Sequence, residues 1–449
     1  MMWTLDIRGP FLFLIFSALL TQGQKLVWGP VKGHVAHREA VIIYGFEKPL
    51  PPEVQNNLKV TIQPELPSFT WRVIPVQEPH ILKVAAENLW PGQTYILKFY
   101  LEGKPLGPEV TVTTPRVYAR WSPGDPPDFT FLAGSCFYLN DRPFDRPGKP
   151  YGQDSSIIGT MASTPADFNL LLGDNFYYRE ADWSSRSGMR YRYYHTFTHP
   201  LMARLLAARP TYAIWDDHDF GPNDADHSFP LRRDALELFR DHWGNPPNSW
   251  ADAGIFTTFE YADAAFFLLD DRWFRAPNNL KDAERPFLGE KQVQWLVESL
   301  VTCEKAWKFV VCGNQMINNT EAKECYRSYA GEFNRLFREV RRQRIEGLII
   351  LSGDRHFSEL LKDTTLLEYP LYELTCSPVT STLHEITSPQ EKNNPLRVPG
   401  SLVQTNNFSR LSIRGPKQNR VLYLEHLDAK GRSLWQYEIP YSQLKIRKP

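Results

Sequence analysis

TYAIWDDHD, residues 211–219, carries a core-like strand straight into three carboxylates and an imidazole. Thr211 to Trp215 reads as a buried strand. Asp216, Asp217 and Asp219 then crowd into four positions, with His218 among them. Two carboxylates about 4 Å apart repel by about 4 kcal/mol at an effective dielectric of about 20. A strand that ends this way predicts positive charge close by.

Five other stretches share this grammar: FTFLAGSC (129–136), DFNLLLGD (167–174), AFFLLDDR (265–272), KFVVCGNQ (308–315) and GLIILSGDRH (347–356). Continuous apolar strands imply sheets covered on both faces. In LGEKQVQWLVESL (288–300), Val293, Leu296, Val297 and Leu300 have the i, i+3, i+4, i+7 spacing of an amphipathic helix. The alternation predicts a layered α/β core. Each strand releases its reactive groups at the carboxyl end, the edge where sites form in open α/β sheets. Cys136, Asp174, the DDHD group, Arg272, Asn314 with Gln315, and Asp354 with His356 are expected in one crevice.

A chain of 449 residues exceeds one ordinary core and predicts two or three domains. Its 51 basic and 51 acidic residues cancel, so bulk charge indicates no nucleic-acid or anionic-membrane partner. The basic run RLFREVRRQR (335–344) reads as a solvated helix face. PFLFLIFSALL (10–20) is shorter than the roughly 20 residues of a membrane span and precedes small and polar residues. Residues 1–23 are therefore expected to be a secretory signal peptide, with the protein secreted. No later segment predicts a membrane span. Of Cys136, Cys303, Cys312, Cys325 and Cys376, the last four are expected to form two disulfides, with Cys136 free. Asn318 and Asn407 stand in N-glycosylation sequons, which predicts surface positions and a glycoprotein.

Residues 24–118 carry short alternating strands separated by Pro, Gly and Asn, the pattern of a β-sandwich. LWPGQTYILKFYLEGKPLGPEVTVTTP (89–115) resembles the closing half of a fibronectin type III domain. No catalytic cluster is visible there. A Pro-rich joint, WSPGDPPD (121–128), leads into the second domain, residues 125–449.

Singly, these groups have ordinary readings: GDNFY (173–177) and GDRH (353–356) are also turn chemistry, and a lone cysteine is usually a small buried hydrophobe. Together they predict a mixed metal site, because a carboxylate such as Asp174 bridges cations and Tyr177 lies three residues on. Iron or zinc suits a thiolate and an imidazole; calcium, magnesium or manganese suits carboxylate oxygens.

GSC, LLLGDNFY, IWDDHDFGPND, LLDDRWFR, VVCGNQM and LSGDRHFSEL, in this order, resemble the PhoD-like alkaline phosphatases and phosphodiesterases. These are a branch of the calcineurin-like metallophosphatase superfamily. The resemblance spans roughly residues 120–445. It implies a four-layer αββα sandwich and a centre of at least two divalent or trivalent metals. It implies Cys136, Asp174, Tyr177, Asp217, Asn223, Asp354 and His356 as ligands. Arg272 would hold phosphate oxygens, and His218 would be the general acid, its tautomer fixed by Asp216 or Asp219. The loop FGPND, which carries Asn223, departs from the shorter loops of other members.

The expected activity is metal-dependent hydrolysis of phosphoric mono- or diesters. A hydroxide held by the cations attacks phosphorus in line, and His218 protonates the departing alkoxide. The substrate is a small molecule, a lipid head group or a polymer. A secreted phospholipase D-type phosphodiesterase and a non-catalytic metal-binding adhesion protein are the competing readings.

Overall fold

The computed structural model describes residues 24–446 apart from 143, 249, 251–252 and 321–323. The expected signal segment, 1–23, lies outside the described residues.

Eight strands open the chain: β1 (Leu26–Val35), β2 (Glu39–Phe46), β3 (Leu58–Gln63), β4 (Thr70–Ile74), β5 (Ile81–Glu87), β6 (Thr94–Leu101), β7 (Lys104–Pro105) and β8 (Val110–Thr113). They form two antiparallel sheets, ordered β1-β2-β5-β4 and β3-β6-β7, with β8 on the other side of β6. In β3, Leu58, Val60 and Ile62 face inward while Lys59 and Gln63 are exposed, the period of a half-buried strand. Strand β2 is different. Its Ala40, Ile42, Tyr44 and Phe46 join Leu97 and Phe99 inside the sandwich, while Val41 and Ile43 join the large core of the following body. Both faces are buried, which explains the unbroken VIIY.

The sequence pattern did not predict β1, because Gly29, Pro30 and Gly33 interrupt it. Its glycine has a structural use: a Cβ added at Gly33 would sit 2.6 Å from the Gly244 Cα. This close approach lets His34 N donate to Gly244 O at 2.6 Å. Nearby, the buried Lys83 ammonium donates to Arg240 O and Trp243 O at 2.8 and 2.7 Å. The opening module is thus bolted to the larger body through backbone groups.

In that body β9 (Phe129–Gly134), β10 (Phe168–Leu172) and β11 (Thr211–Ile214) run parallel. A second sheet holds β12 (Thr257–Tyr261), β13 (Ala264–Leu268), β14 (Trp307–Val311), β15 (Leu348–Ser352), β16 (Glu359–Asp363) and β17 (Leu371–Thr375). Within it β13, β14, β15 and β17 are mutually parallel. Finally β18 (Phe408–Arg414), β19 (Val421–Leu427) and β20 (Ser433–Pro440) extend the first sheet antiparallel, giving the order β11-β10-β9-β18-β19-β20. The two sheets meet face to face through aromatics: Phe131 packs edge-on against Phe266 and Phe309 at 5.2 and 5.5 Å.

Helices α1 (Ser156–Ser163), α2 (Arg186–Thr198), α3 (Pro200–Ala208), α4 (Asp217–Phe220), α5 (Arg232–His242), α6 (Glu290–Thr302) and α7 (Ala330–Arg342) occupy the connections. The expected amphipathic helix is α6, with Val293, Leu296 and Leu300 buried. The basic run lies on α7, whose Arg338, Arg341 and Arg342 are exposed while Leu336, Phe337 and Val340 are buried. A mixed α/β body with several sheets is therefore present.

Two expectations are corrected. All five cysteines are free thiols. Cys312, Cys325 and Cys376 are fully enclosed at separate strand ends and loops, and the Cys325 sulfur lies 3.3 Å from Asn318 O rather than against another sulfur. Asn318 and Asn407 are also buried. Asn318 Nδ2 donates to Gln315 Oε1 at 2.7 Å, and Asn407 Oδ1 accepts from Ser358 Oγ at 2.9 Å. Both amides serve internal hydrogen bonding, not a surface sequon.

The Gly33–Gly244 contact gives a direct test. Gly33→Ala should lower the unfolding free energy by about 1–3 kcal/mol through overpacking against backbone. Thermal or urea denaturation reads this, and an unchanged midpoint would contradict the contact.

Candidate metal centre

The DDHD turn divides its own carboxylates. Asp216 caps α4, with its N–H donating to Asp219 Oδ1 at 2.6 Å. Asp219 Oδ2 in turn accepts from Asn175 N and Asn175 Nδ2 at 3.1 and 2.5 Å. Asp216 is gripped by Arg272, whose Nε donates to Asp216 Oδ1 at 2.7 Å alongside a second bond from Nη2. Asp216 and Asp219 are therefore interior fastenings. Asp217 and His218 are left to face the crevice.

Six strand ends deliver the remaining groups to one rim, where the two sheets come close. At Gly353 a Cβ would lie 2.6 Å from the Ser135 Cβ, and at Gly173, with φ of +87°, it would lie 2.7 Å from the Asp216 Cβ. No side chain fits between the strand ends, so glycine precedes the ligand-bearing residue in both GD motifs.

Three groups of donor atoms result, each with its atoms within 4.8 Å of one another: Cys136, Asp174 and His356; Asp174, Asp217 and His218; Asp217, Asp224 and Glu324. Asp174 belongs to the first two and Asp217 to the last two. The arrangement is a string of adjoining positions joined by shared carboxylates. At one end the Cys136 sulfur is 3.5 Å from Asp174 Oδ2 and 3.2 Å from Ser377 Oγ. Tyr177 OH donates to Asp174 Oδ2 at 3.0 Å and lies 3.1 Å from His356 Nε2. In the middle, His218 N donates to Asp174 Oδ1 at 3.3 Å, and His218 Nε2 is 3.8 Å from Asp217 Oδ2. The Tyr177 and His218 rings are 4.1 Å apart. At the far end Asp224 N donates to Asp217 Oδ2 at 2.8 Å.

Backbone strain marks the same residues. Among the described residues, Cys136, Asp174, Asp224, Asp354 and His356 have φ of 61, 50, 59, 66 and 56°. The left-handed region costs a non-glycine residue about 1 kcal/mol or more, and such strain collects at functional sites.

Of the residues expected from sequence, Cys136, Asp174, Tyr177, Asp217, His218 and His356 are linked by contacts that run through Asp174 and Tyr177. Asp354 adjoins them: its carbonyl is 3.6 Å from the Cys136 sulfur, and its carboxyl interacts with Asp217 and His356. Asn223 is exposed, as is Asp224 beside it, and Asp224 joins Asp217 and Glu324 in the third group. Arg272 is fully buried, with its nitrogens engaged by Asp216, Asn314, Glu324 and Ala225 O. It is a charge anchor beneath the cluster instead of a phosphate clamp at its surface. Neither Asp216 nor Asp219 orients the His218 ring, since both are committed elsewhere. Glu324 was not legible, because it ends no apolar strand and only the fold brings it to Asp217.

The electrostatics fit cations. Burial, then repulsion from Cys136 and Asp217, raises Asp174 well above the carboxylate range. Burial also pushes Asp219 and Asp354 up to about 7. Burial raises the Cys136 thiol to about 11 and lowers His218 and His356. For Glu324 burial is outweighed by Arg272 and Arg275, which bring it to about 2. A largely buried set of carboxylates, one thiol and the His356 imidazole has the donor chemistry of a multinuclear site, with sulfur and nitrogen at one end and oxygen at the other.

Two outcomes follow. An unfolded chain releases the Asp219 and Asp354 protons near pH 4, and the folded metal-free chain near 7. Between those values the native state holds more protons, so raising pH lowers stability. Chelated protein should therefore melt at a lower temperature at pH 8 than at pH 5, and divalent cations should restore it at pH 8. A melting temperature that rises with pH would contradict this. In elemental analysis Asp174→Asn should lose more metal than Glu324→Gln, because Asp174 serves two positions and Glu324 one. Equal losses would contradict the shared-ligand geometry.

The PhoD-like phosphatase family matches residues 152–416, more than half of the chain. A solved structure of PhoD superposes with a TM-score of 0.66 at 17% identity, covering 92% of this chain and 90% of that one. At that identity the likeness concerns the fold. A Vps29 double mutant from Entamoeba histolytica (TM-score 0.26, 8% identity, 69% of this chain and 98% of that one) is too distant to carry an argument. The same holds for the Lin-41 filamin domain (TM-score 0.17, 17% identity, 21% and 93%). No curated protein matches. With the metal-dependent family matched across the sheets that bear the ligand string, this chain belongs to the PhoD-like phosphatases.

Proposed function

We propose that this chain is a secreted hydrolase of phosphoric mono- or diesters, with His218 as the general acid. The observation that carries the reading is the string of three donor groups joined through Asp174 and Asp217 at one sheet rim. Cations bound there would supply positive charge for phosphate oxygens and a nucleophilic water at neutral pH. The donor set suits iron or zinc at Cys136, Asp174, Tyr177 and His356, and calcium, magnesium or manganese at Asp217, Asp224 and Glu324.

The chain's own residues perform the remaining tasks. His218 presents a side chain 16% exposed, packed on Tyr177 and fixed through its backbone N–H to Asp174. It reaches the crevice without leaving the cluster, which suits proton donation to a departing alkoxide. Arg272 and Arg275 hold Glu324 anionic from beneath, so that corner accepts a cation instead of repelling one. Secretion rests on the leader-like residues 1–23, and the opening β-sandwich is read as an accessory module of fibronectin III type.

The test compares aryl and alkyl phosphate esters before and after chelation. Chelation should abolish both activities. His218→Ala should keep its metals and lose about 10²–10⁴ in rate on an alkyl ester, with a much smaller loss on p-nitrophenyl phosphate, whose leaving group needs no proton. A metal-loaded but inert wild type would overturn the enzyme reading; equal losses on both esters would overturn the general-acid role.

A further inference from the structure

Beyond Cys136, residues 138–153 of the connection from β9 to α1 enter the crevice and supply none of the donor groups. The ends of this loop are tied together: Asn140 Nδ2 donates to Gly152 O at 2.8 Å, and Gly152 N donates to Asn140 Oδ1 at 3.1 Å. A Cβ at Gly152 would lie 2.6 Å from Tyr138 O, so this closure requires glycine. Gln153 then fixes the approach. Its N–H donates to Thr380 O at 2.6 Å, and its Nε2 donates to Pro150 O and Tyr151 O, each at 3.2 Å.

Closure places Tyr151 as a wall of the crevice. Its ring is 4.7 Å from Tyr138, 5.9 Å from Tyr177 and 6.0 Å from His356. Tyr138 and Tyr177 are buried, whereas Tyr151 is half-buried. Its hydroxyl interacts electrostatically with Cys136, Asp174 and Asp217 of the centre and with Arg146 of its own loop. The loop's Asp145 is spent inward: its Oδ1 accepts from Arg179 Nε and Nη2 at 3.0 and 2.9 Å, and from Tyr138 OH at 3.0 Å. Arg146 and Lys149 remain exposed at the rim. Arg146 lies 3.6 Å from Glu180, with both side chains more than 60% exposed, a pairing that water screens.

We propose that this loop is the leaving-group subsite of the centre, with Tyr151 as a stacking wall and hydroxyl donor and Arg146 as the receiver of an anionic group. The substrate class is then a phosphate ester whose leaving group bears a negative charge beyond the scissile bond. The proposal rests on the phosphoesterase reading above and adds a substrate preference to it.

The experiment compares 4-carboxyphenyl phosphate with 4-carbamoylphenyl phosphate, two aryl esters that differ in leaving-group charge, using the metal-loaded full chain. Wild type should favour the carboxylate ester about 5- to 20-fold in kcat/KM, mostly through KM, and the preference should shrink as ionic strength rises. Arg146→Gln should erase the preference by lowering kcat/KM on the carboxylate ester to the value on the neutral ester. Tyr151→Ala should raise KM for both esters about 10-fold with metal content unchanged, and Tyr151→Phe should recover part of that loss. An Arg146→Gln enzyme that retains the preference would overturn the proposal. So would a Tyr151→Ala enzyme with unaltered KM, or one that loses metal, since the tyrosine would then only support the centre. A wild type that cleaves neither ester fails the phosphoesterase reading itself, whereas one that cleaves both without preference fails the subsite alone.

Discussion

Carboxylates cannot gather at a buried rim unless something cancels their charge, and the pair Arg272–Asp216 meets that constraint from below. Arg272 is sealed from water and makes a forked contact with Asp216, while its remaining nitrogens reach Asn314 and Glu324. Loss of one partner in such a pair leaves an uncompensated buried charge, which is far more damaging than loss of both. Because Asp216 and Asp219 are neutralised or hydrogen-bonded inward, Asp217 and His218 are free to turn outward. The turn therefore separates scaffold from function within four residues.

The same logic extends along the rim. Strand-end glycines let the two sheets approach until Asp174, Asp217 and Asp354 repel one another, and burial intensifies that repulsion. Left-handed backbone at five candidate ligands indicates that the fold holds these side chains against local preference. Strain and like-charge crowding both disfavour the cation-free site. Cations held there would relieve the like-charge crowding and so couple metal loading to stability. The opening β-sandwich contributes at a distance. By burying both faces of β2 and locking Gly33 against Gly244, it stiffens the side of the body that carries α5 and β11.

Much of this was readable from local pattern. Unbroken apolar runs ending in GSC, GDN, DDHD, DDR, CGN and GDRH gave parallel strands with reactive carboxyl ends, because covered strands and ligand-bearing loops leave strong signatures. Readings failed where a residue type has two uses. Gly33 looked like an interruption and is a packing contact inside β1. Asn318 and Asn407 looked like glycan acceptors and are buried hydrogen-bonding amides, and Cys303, Cys312, Cys325 and Cys376 looked like disulfide partners and are free thiols. Arg272 looked like a phosphate clamp, since sequence reports its charge and not its depth.

The amino-acid sequence alone determined which chemical groups terminate the strands, and hence the family and the mixed sulfur, nitrogen and oxygen character of the centre. Tertiary structure decided which of those groups face each other. It brought Asp224 to Asp217, recruited Glu324 from a segment without periodic signal, and buried Arg272. The reason is physical. Periodicity reports whether a residue meets core or water, a property set by near neighbours in the chain. Coordination depends on distances of a few ångströms between residues as far apart in the chain as Cys136 and His356, which only the packing of two sheets defines.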